Sequence, residues 1–188
     1  MSSFEFVFTL FGLMLGFSLA EMLSGLVRVL KARRAVAIGW LTPLLATFVM
    51  LDLTSFWANA WDIRESIPAT YGILVLGLVA SGIYFLAASL LFPERPEECA
   101  RLDDHYYLRR RPVLAGIALC NGAVIVATAL VLPALLASPQ ALITHGLYYA
   151  MIALAAFARP RWLNIGALAI LVLLYLYYAV LTLALAQA

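Results

Sequence analysis

Charge is what this chain has least of. Only 12% of its 188 residues are Asp, Glu, Lys or Arg, and the formal net charge is +2. A soluble domain carries about 25% charged residues, so a soluble fold is excluded. So is a disordered chain, which needs polar composition. A net charge this small offers no electrostatic footprint for a polyanion, which excludes nucleic acid as a partner. Histidine and cysteine are scarce as well, with two of each. Cys99 and Cys120 are too few for a disulfide framework. His105 and His145 are expected on opposite sides of the membrane, so they do not offer a pair of haem ligands, and no zinc-type set of four ligands is present. Several motifs are missing too: a Walker loop, a dinucleotide fingerprint, His-Glu-x-x-His, and Gly-x-Ser-x-Gly. No cofactor and no metal is expected.

Apolar sequence is abundant. Sixty-five per cent of the chain is hydrophobic and the mean hydropathy is +1.01. A helix needs ~20 mostly apolar residues to cross a bilayer, and six segments meet that length. They cover residues 4–30, 38–61, 68–92, 112–137, 141–158 and 162–188. The last four contain no Asp, Glu, Lys or Arg. Barrel strands would be shorter and would alternate in polarity. The expected fold is therefore all-α: a polytopic integral membrane protein, residues 1–188 forming one six-transmembrane-helix bundle. The first segment lacks a basic n-region and runs on to Arg28, so it reads as a retained span rather than a signal peptide.

Basic residues set the expected orientation. Arg28, Lys31, Arg33 and Arg34 follow span one; Arg95, Arg101, Arg109, Arg110 and Arg111 lie between spans three and four; Arg159 and Arg161 lie between spans five and six. Only Arg64 falls on the other side. Basic loops stay in the cytoplasm, so both termini are expected outside, in a cell inner membrane. The one long loop, 93–111, starts with Pro96, Glu97 and Glu98 and ends with three arginines, the charge order that suits a helix dipole. With Cys99, Leu102 and Tyr106 on one face, it predicts a short cytoplasmic interfacial helix.

Polar groups inside an apolar span mark sites, because they are costly unless paired or hydrated. Two acids lie deep: Glu21 and Asp52. Asp52, Ser55, Asn59 and Asp62 fall at i, i+3, i+7 and i+10, one stripe along a helix. Such a stripe faces water or protein. It is either a vestibule leading to Asp52 or a sealed seam of side-chain bonds. Glu21 and Asp52 should differ by ~10 Å in depth on antiparallel helices, so a carboxylate pair is not expected; they are either two stations along one pathway or two unrelated polar contacts. Gly12 and Gly16 form a small-xxx-small contact face. Weaker marks are Asn121 in span four, Thr144, His145, Tyr148 and Tyr149 in span five, and Asn164, Tyr175, Tyr177 and Tyr178 in span six.

The expected function is a small membrane channel or transporter for a cation, a proton or a small solute. Asp52, Glu21, Ser55, Asn59 and Asp62 would line its pathway, and a homo-oligomer would supply the interior that a small bundle lacks. The alternative is a non-catalytic membrane subunit or sensor acting through a cytoplasmic partner at residues 93–111. A lipid-modifying enzyme is set aside, since no nucleophile–base set lies at one depth.

Overall fold

A computed structural model describes residues 3–62, 70–131 and 138–185. Arg64 and the far end of span four, 132–137, lie outside the described residues. The described chain forms six long helices: α1 (Ser3–Ala32), α2 (Leu41–Asp62), α3 (Tyr71–Leu91), α4 (Leu102–Val131), α5 (Pro139–Phe157) and α6 (Arg161–Leu185). All six are long and apolar enough to cross a membrane. No strand occurs among the described residues, only an isolated bridge between Ala37 and Arg101.

Local sequence explains the helix boundaries. Ser138 caps α5, accepting from Ala141 N, and Pro139 occupies the first turn, where its missing N–H is no loss. Thr70 caps α3 in the same way, accepting from Ile73 N. Helix α2 has no such residue of its own. Its first amide, Leu41 N, donates to Asp103 on α4 (3.3 Å), and Thr42 donates to the Leu102 carbonyl (3.1 Å).

The connections 33–40, 92–101 and 158–160 lie together at one end of the bundle, which we call the basic end. Here α4 departs from the expected separate surface helix over 93–111. Pro96–Glu98 makes a single 3-10 turn, and α4 begins at Leu102 and continues through Pro112 to Val131. Residues 102–111 stay in register with the span because their side chains are tied to other helices. Leu102 and Tyr106 are buried in the core, Asp103 pairs with Arg161 (2.8 Å), and Arg110 reaches α5 and α6. Proline removes one intrahelical bond and crowds the carbonyl of Leu108, a cost these anchors outweigh.

Helix α2 is the centre of the bundle. It packs against α6, α4, α3 and α1, while α1 lies mainly along α3. The core is built from Leu45, Phe48 and Val49 of α2, Leu114 and Ile117 of α4, and Leu168 and Leu171 of α6, all buried. Many large apolar side chains point outward instead, Leu13, Phe17, Leu76, Leu119, Ile143 and Leu173 among them. A water-soluble surface would not tolerate that much exposed Leu and Ile; lipid tails do.

Gly77 of α3 faces the Phe11 ring of α1, and a Cβ there would overlap the ring. Gly12 meets the Trp57 ring of α2 in the same manner. The Gly12 contact is thus made within the chain. Gly16 has no atom within 4 Å of where its Cβ would lie.

Candidate functional site

Asp52 lies about midway along α2, roughly 16 Å from Leu41 at 1.5 Å per residue. It is fully buried, at 0% exposure. Four side chains, one from each of four other helices, donate to its carboxylate. Tyr84 of α3 reaches Oδ2 at 2.6 Å. Tyr148 of α5 and Tyr175 of α6 reach Oδ1 at 2.8 and 2.5 Å. The Asn121 amide of α4 lies 3.0 Å from both oxygens, and also donates to the Ile117 carbonyl.

The shell is a cage of donors. Three hydroxyls and one amide face a single carboxyl group, at 2.5 to 3.0 Å. The cage is also uneven. Tyr84 and Tyr148 are buried, whereas Tyr175 and Asn121 are half-buried. Phe48 holds the Tyr148 and Tyr175 rings from the basic-end side, at centroid separations of 6.2 and 6.1 Å, and Phe56 holds Tyr84 at 5.1 Å. The ring packing fixes where the hydroxyls point, so the donors are preorganised.

The remaining members of the expected pathway lie elsewhere. Asn59 donates to Ser55 (3.4 Å), one turn away on the same helix, and Asn59 and Asp62 are exposed near the end of α2. The stripe therefore leads away from Asp52 to the bundle end without sharing its bonds. Glu21 pairs with Arg28 on its own helix (3.0 Å), two turns further along, with both side chains about one-third exposed. Neither Glu21 nor Ser55 is among the groups that donate to Asp52.

A second polar cluster holds the basic end. The Arg110 guanidinium donates through one nitrogen to the carbonyls of Ala155 (3.0 Å) and Ala158 (2.7 Å) and to Asn164 Oδ1 (2.6 Å). Tyr106 donates to the same Asn164 oxygen (2.8 Å), and the Asn164 amide donates to the carbonyls of Ala158 and Pro160. The last carbonyls of a helix have no intrahelical partner, and this cluster supplies them for α5. Arg110 is thus a helix cap as well as a topology charge, a role its place in an arginine triplet conceals. Arg109 and Arg111 remain exposed.

No three His, Cys, Asp or Glu side chains converge as metal ligands among the described residues. His105 bonds the Leu90 carbonyl (3.0 Å), and His145 bonds the Ala141 carbonyl of its own helix (2.7 Å). Cys99 and Cys120 are both free thiols, Cys120 buried against the Ala80 carbonyl.

The Asp52 partners were legible only as isolated polar residues. Asn121, Tyr148 and Tyr175 stand out in uncharged spans, but Tyr84 does not, because an isolated tyrosine is common near membrane interfaces. Depth does not supply the missing signal. Counted from the basic end, Tyr84, Tyr148 and Tyr175 sit 7, 9 and 14 residues into their helices and Asp52 sits 11, but Asn121 sits 19 residues into α4. Glu21, outside the cage, sits 11 residues into α1, level with Asp52 rather than ~10 Å away in depth. Comparison with family models, with curated proteins and with solved structures yields no match.

Proposed function

We propose that the protein is a small proton carrier of the cell inner membrane, in which Asp52 takes up and releases the proton. Its basic end faces the cytoplasm, following the 11-to-1 division of Lys and Arg. One observation carries this reading: a single buried carboxylate at mid-depth joins α2 to α3, α4, α5 and α6 at once. An ionised carboxylate accepts from all four partners. A protonated one carries an O–H of its own, so one lone pair is lost and one neighbouring donor must turn away. Proton uptake therefore changes the fit of five helices together. A hydrogen bond to a charged group is worth about 1.5–3 kcal/mol, enough to shift a two-state equilibrium by tenfold or more.

The donor cage favours a proton over a metal cation. Mg²⁺ or Ca²⁺ needs six or more oxygens offering lone pairs at about 2.0–2.6 Å, whereas these hydroxyls and the amide point hydrogens at the carboxylate. Full burial of Asp52 also argues for a carrier that opens in turn to each side rather than an open channel. A homo-oligomer is part of the proposal, since the monomer encloses little space of its own.

The test is ion selectivity in reconstituted vesicles. The protein should dissipate an imposed pH gradient under a clamped membrane potential, read with an enclosed pH dye. Sodium, potassium and magnesium gradients should persist. Flux of a metal cation without proton flux, or no flux at all, would contradict the carrier reading.

A second reading has its own observation. Pro93, Glu94, Arg95, Glu98, Cys99 and His105 line a recess of about 550 Å³ at the basic end. A non-catalytic subunit would meet a cytoplasmic partner there. Substitutions at Glu94 and Glu98 should then abolish association while leaving the vesicle assay unchanged.

A further inference from the structure

Among the described residues, an apolar layer separates Asp52 and its cage from the Tyr106–Arg110–Asn164 cluster at the basic end. Between Asp52 and the basic end, the facing surfaces of α2, α5 and α6 are apolar: Leu45, Phe48, Ile152, Leu168 and Leu171 are buried there. On the opposite side, one turn beyond the cage, Thr144 of α5 meets Tyr178 of α6 with their hydroxyls 3.1 Å apart. Thr144 precedes Tyr148 by four residues and Tyr178 follows Tyr175 by three, so the two pairs stack as successive rungs on one α5–α6 face. Both Thr144 and Tyr178 are half-buried. The titratable groups facing Asp52 are Tyr84 from α3, Cys120 from α4, Tyr148 and Tyr149 from α5 and Tyr175 from α6, and none of these bears a charge. Among the described residues, no ionic side chain acts on Asp52 from the side of the outer rung.

We propose that the Thr144–Tyr178 pair is the proton-access gate of Asp52, opening toward the end of the bundle away from the basic loops. The inference rests on Asp52 being the proton-binding group. The rungs are separated by three residues along α6, ~4.5 Å of rise, a distance one water molecule bridges. The transfer is a relay. A proton from bulk water joins the Tyr178 oxygen as its own hydroxyl proton passes to the bridging water, that water passes a proton to the Tyr175 oxygen, and the Tyr175 hydroxyl proton moves to Asp52 Oδ1. Each hydroxyl and the water gives one proton and gains one, and only Asp52 is changed. Tyr175 already donates to Oδ1 at 2.5 Å, so the last transfer needs no rearrangement.

The test uses the full-length protein in oriented vesicles and follows the infrared carbonyl band of protonated Asp52, assigned by its loss in Asp52→Asn. After an acid jump at the far side, the band should rise quickly in the wild type. It should rise roughly a hundredfold more slowly in Thr144→Val and in Tyr178→Phe, the size of effect a positioned proton-transfer group supplies. Thr144→Ser should restore the rate, which a merely structural contact would not require. Equal rates in wild type, Thr144→Val and Tyr178→Phe would overturn the gate while leaving Asp52 as the proton site. Equal rates from both sides would overturn it as well. If the wild type shows no Asp52 band at any pH, the carrier reading falls and the gate with it.

Discussion

Three tyrosines and an asparagine hold one carboxylate, and their contributions are unequal. Tyr84 is wholly buried, and its hydroxyl is the only one on Oδ2. Tyr84→Phe removes a fully buried donor and leaves Oδ2 with the Asn121 amide alone, so it should lower stability by ~1–3 kcal/mol. Tyr175→Phe leaves Oδ1 with Tyr148 and Asn121, and Tyr175 is only half-buried, so its cost should be nearer ~0.6 kcal/mol, the average for interhelical bonds in a bilayer. Thermal unfolding in detergent measures both. Equal losses would mean that the cage shares its load evenly, contrary to the burial pattern. Glu21 belongs to another account: its bond to Arg28 is made within α1, with both side chains about one-third exposed, and it ties no second helix. Glu21→Gln should leave melting nearly unchanged.

At the scale of helices, ends and crossings matter more than spans. Helices α2 and α5 both borrow caps from α4, through Asp103 at the start of α2 and Arg110 at the end of α5. Arg110→Ala leaves the Ala155 and Ala158 carbonyls with Tyr106 and Asn164 as their only side-chain donors among the described residues, and removes a donor from Asn164 Oδ1. It should destabilise the bundle by about 1–3 kcal/mol, the scale for taking a charged donor from buried neutral acceptors. Arg109→Ala, exposed on the neighbouring position, should change melting by less than ~0.5 kcal/mol. The contrast between adjacent arginines checks the capping role directly. Close crossings give a parallel case. Gly12→Leu drives a side chain into Trp57 and should cost ~1–3 kcal/mol, whereas Gly16→Ala meets nothing and should be silent in the monomer.

The same helices show what a sequence conveys and what it hides. Six spans were legible because bilayer thickness fixes helix length and hydrocarbon excludes charge, two constraints that leave a mark on every residue of 41–62 or 161–185. Asp52 was legible because one acid in an apolar run is conspicuous. Its stripe partners Ser55, Asn59 and Asp62 were grouped with it by periodicity, which reports neighbours along one helix. The true partners come from four other helices, and periodicity carries no information about them. The start of α4 was obscured for a related reason: a run of charges from Arg101 to Arg111 resembles a surface loop until Asp103 and Arg110 find their acceptors on α2, α5 and α6.

For the whole molecule, the asymmetry of charge supports the proposed topology and the buried carboxylate the proposed mechanism. Reporter fusions after Arg34, near Asp104 and after Pro160 should register cytoplasm, and fusions near Gln140 should register the outside. Cys120, buried in α4, should resist a membrane-impermeant thiol reagent applied to intact cells; rapid labelling would mean that water reaches mid-membrane along α4. The central claim is that Asp52 carries the proton. The most direct measurement compares proton flux through vesicles containing wild-type protein or Asp52→Asn, each first shown by gel filtration to be folded and equally assembled. The account predicts flux in the wild type and its loss in Asp52→Asn, with Glu21→Gln retaining flux at the wild-type rate. Undiminished flux through correctly assembled Asp52→Asn would contradict it.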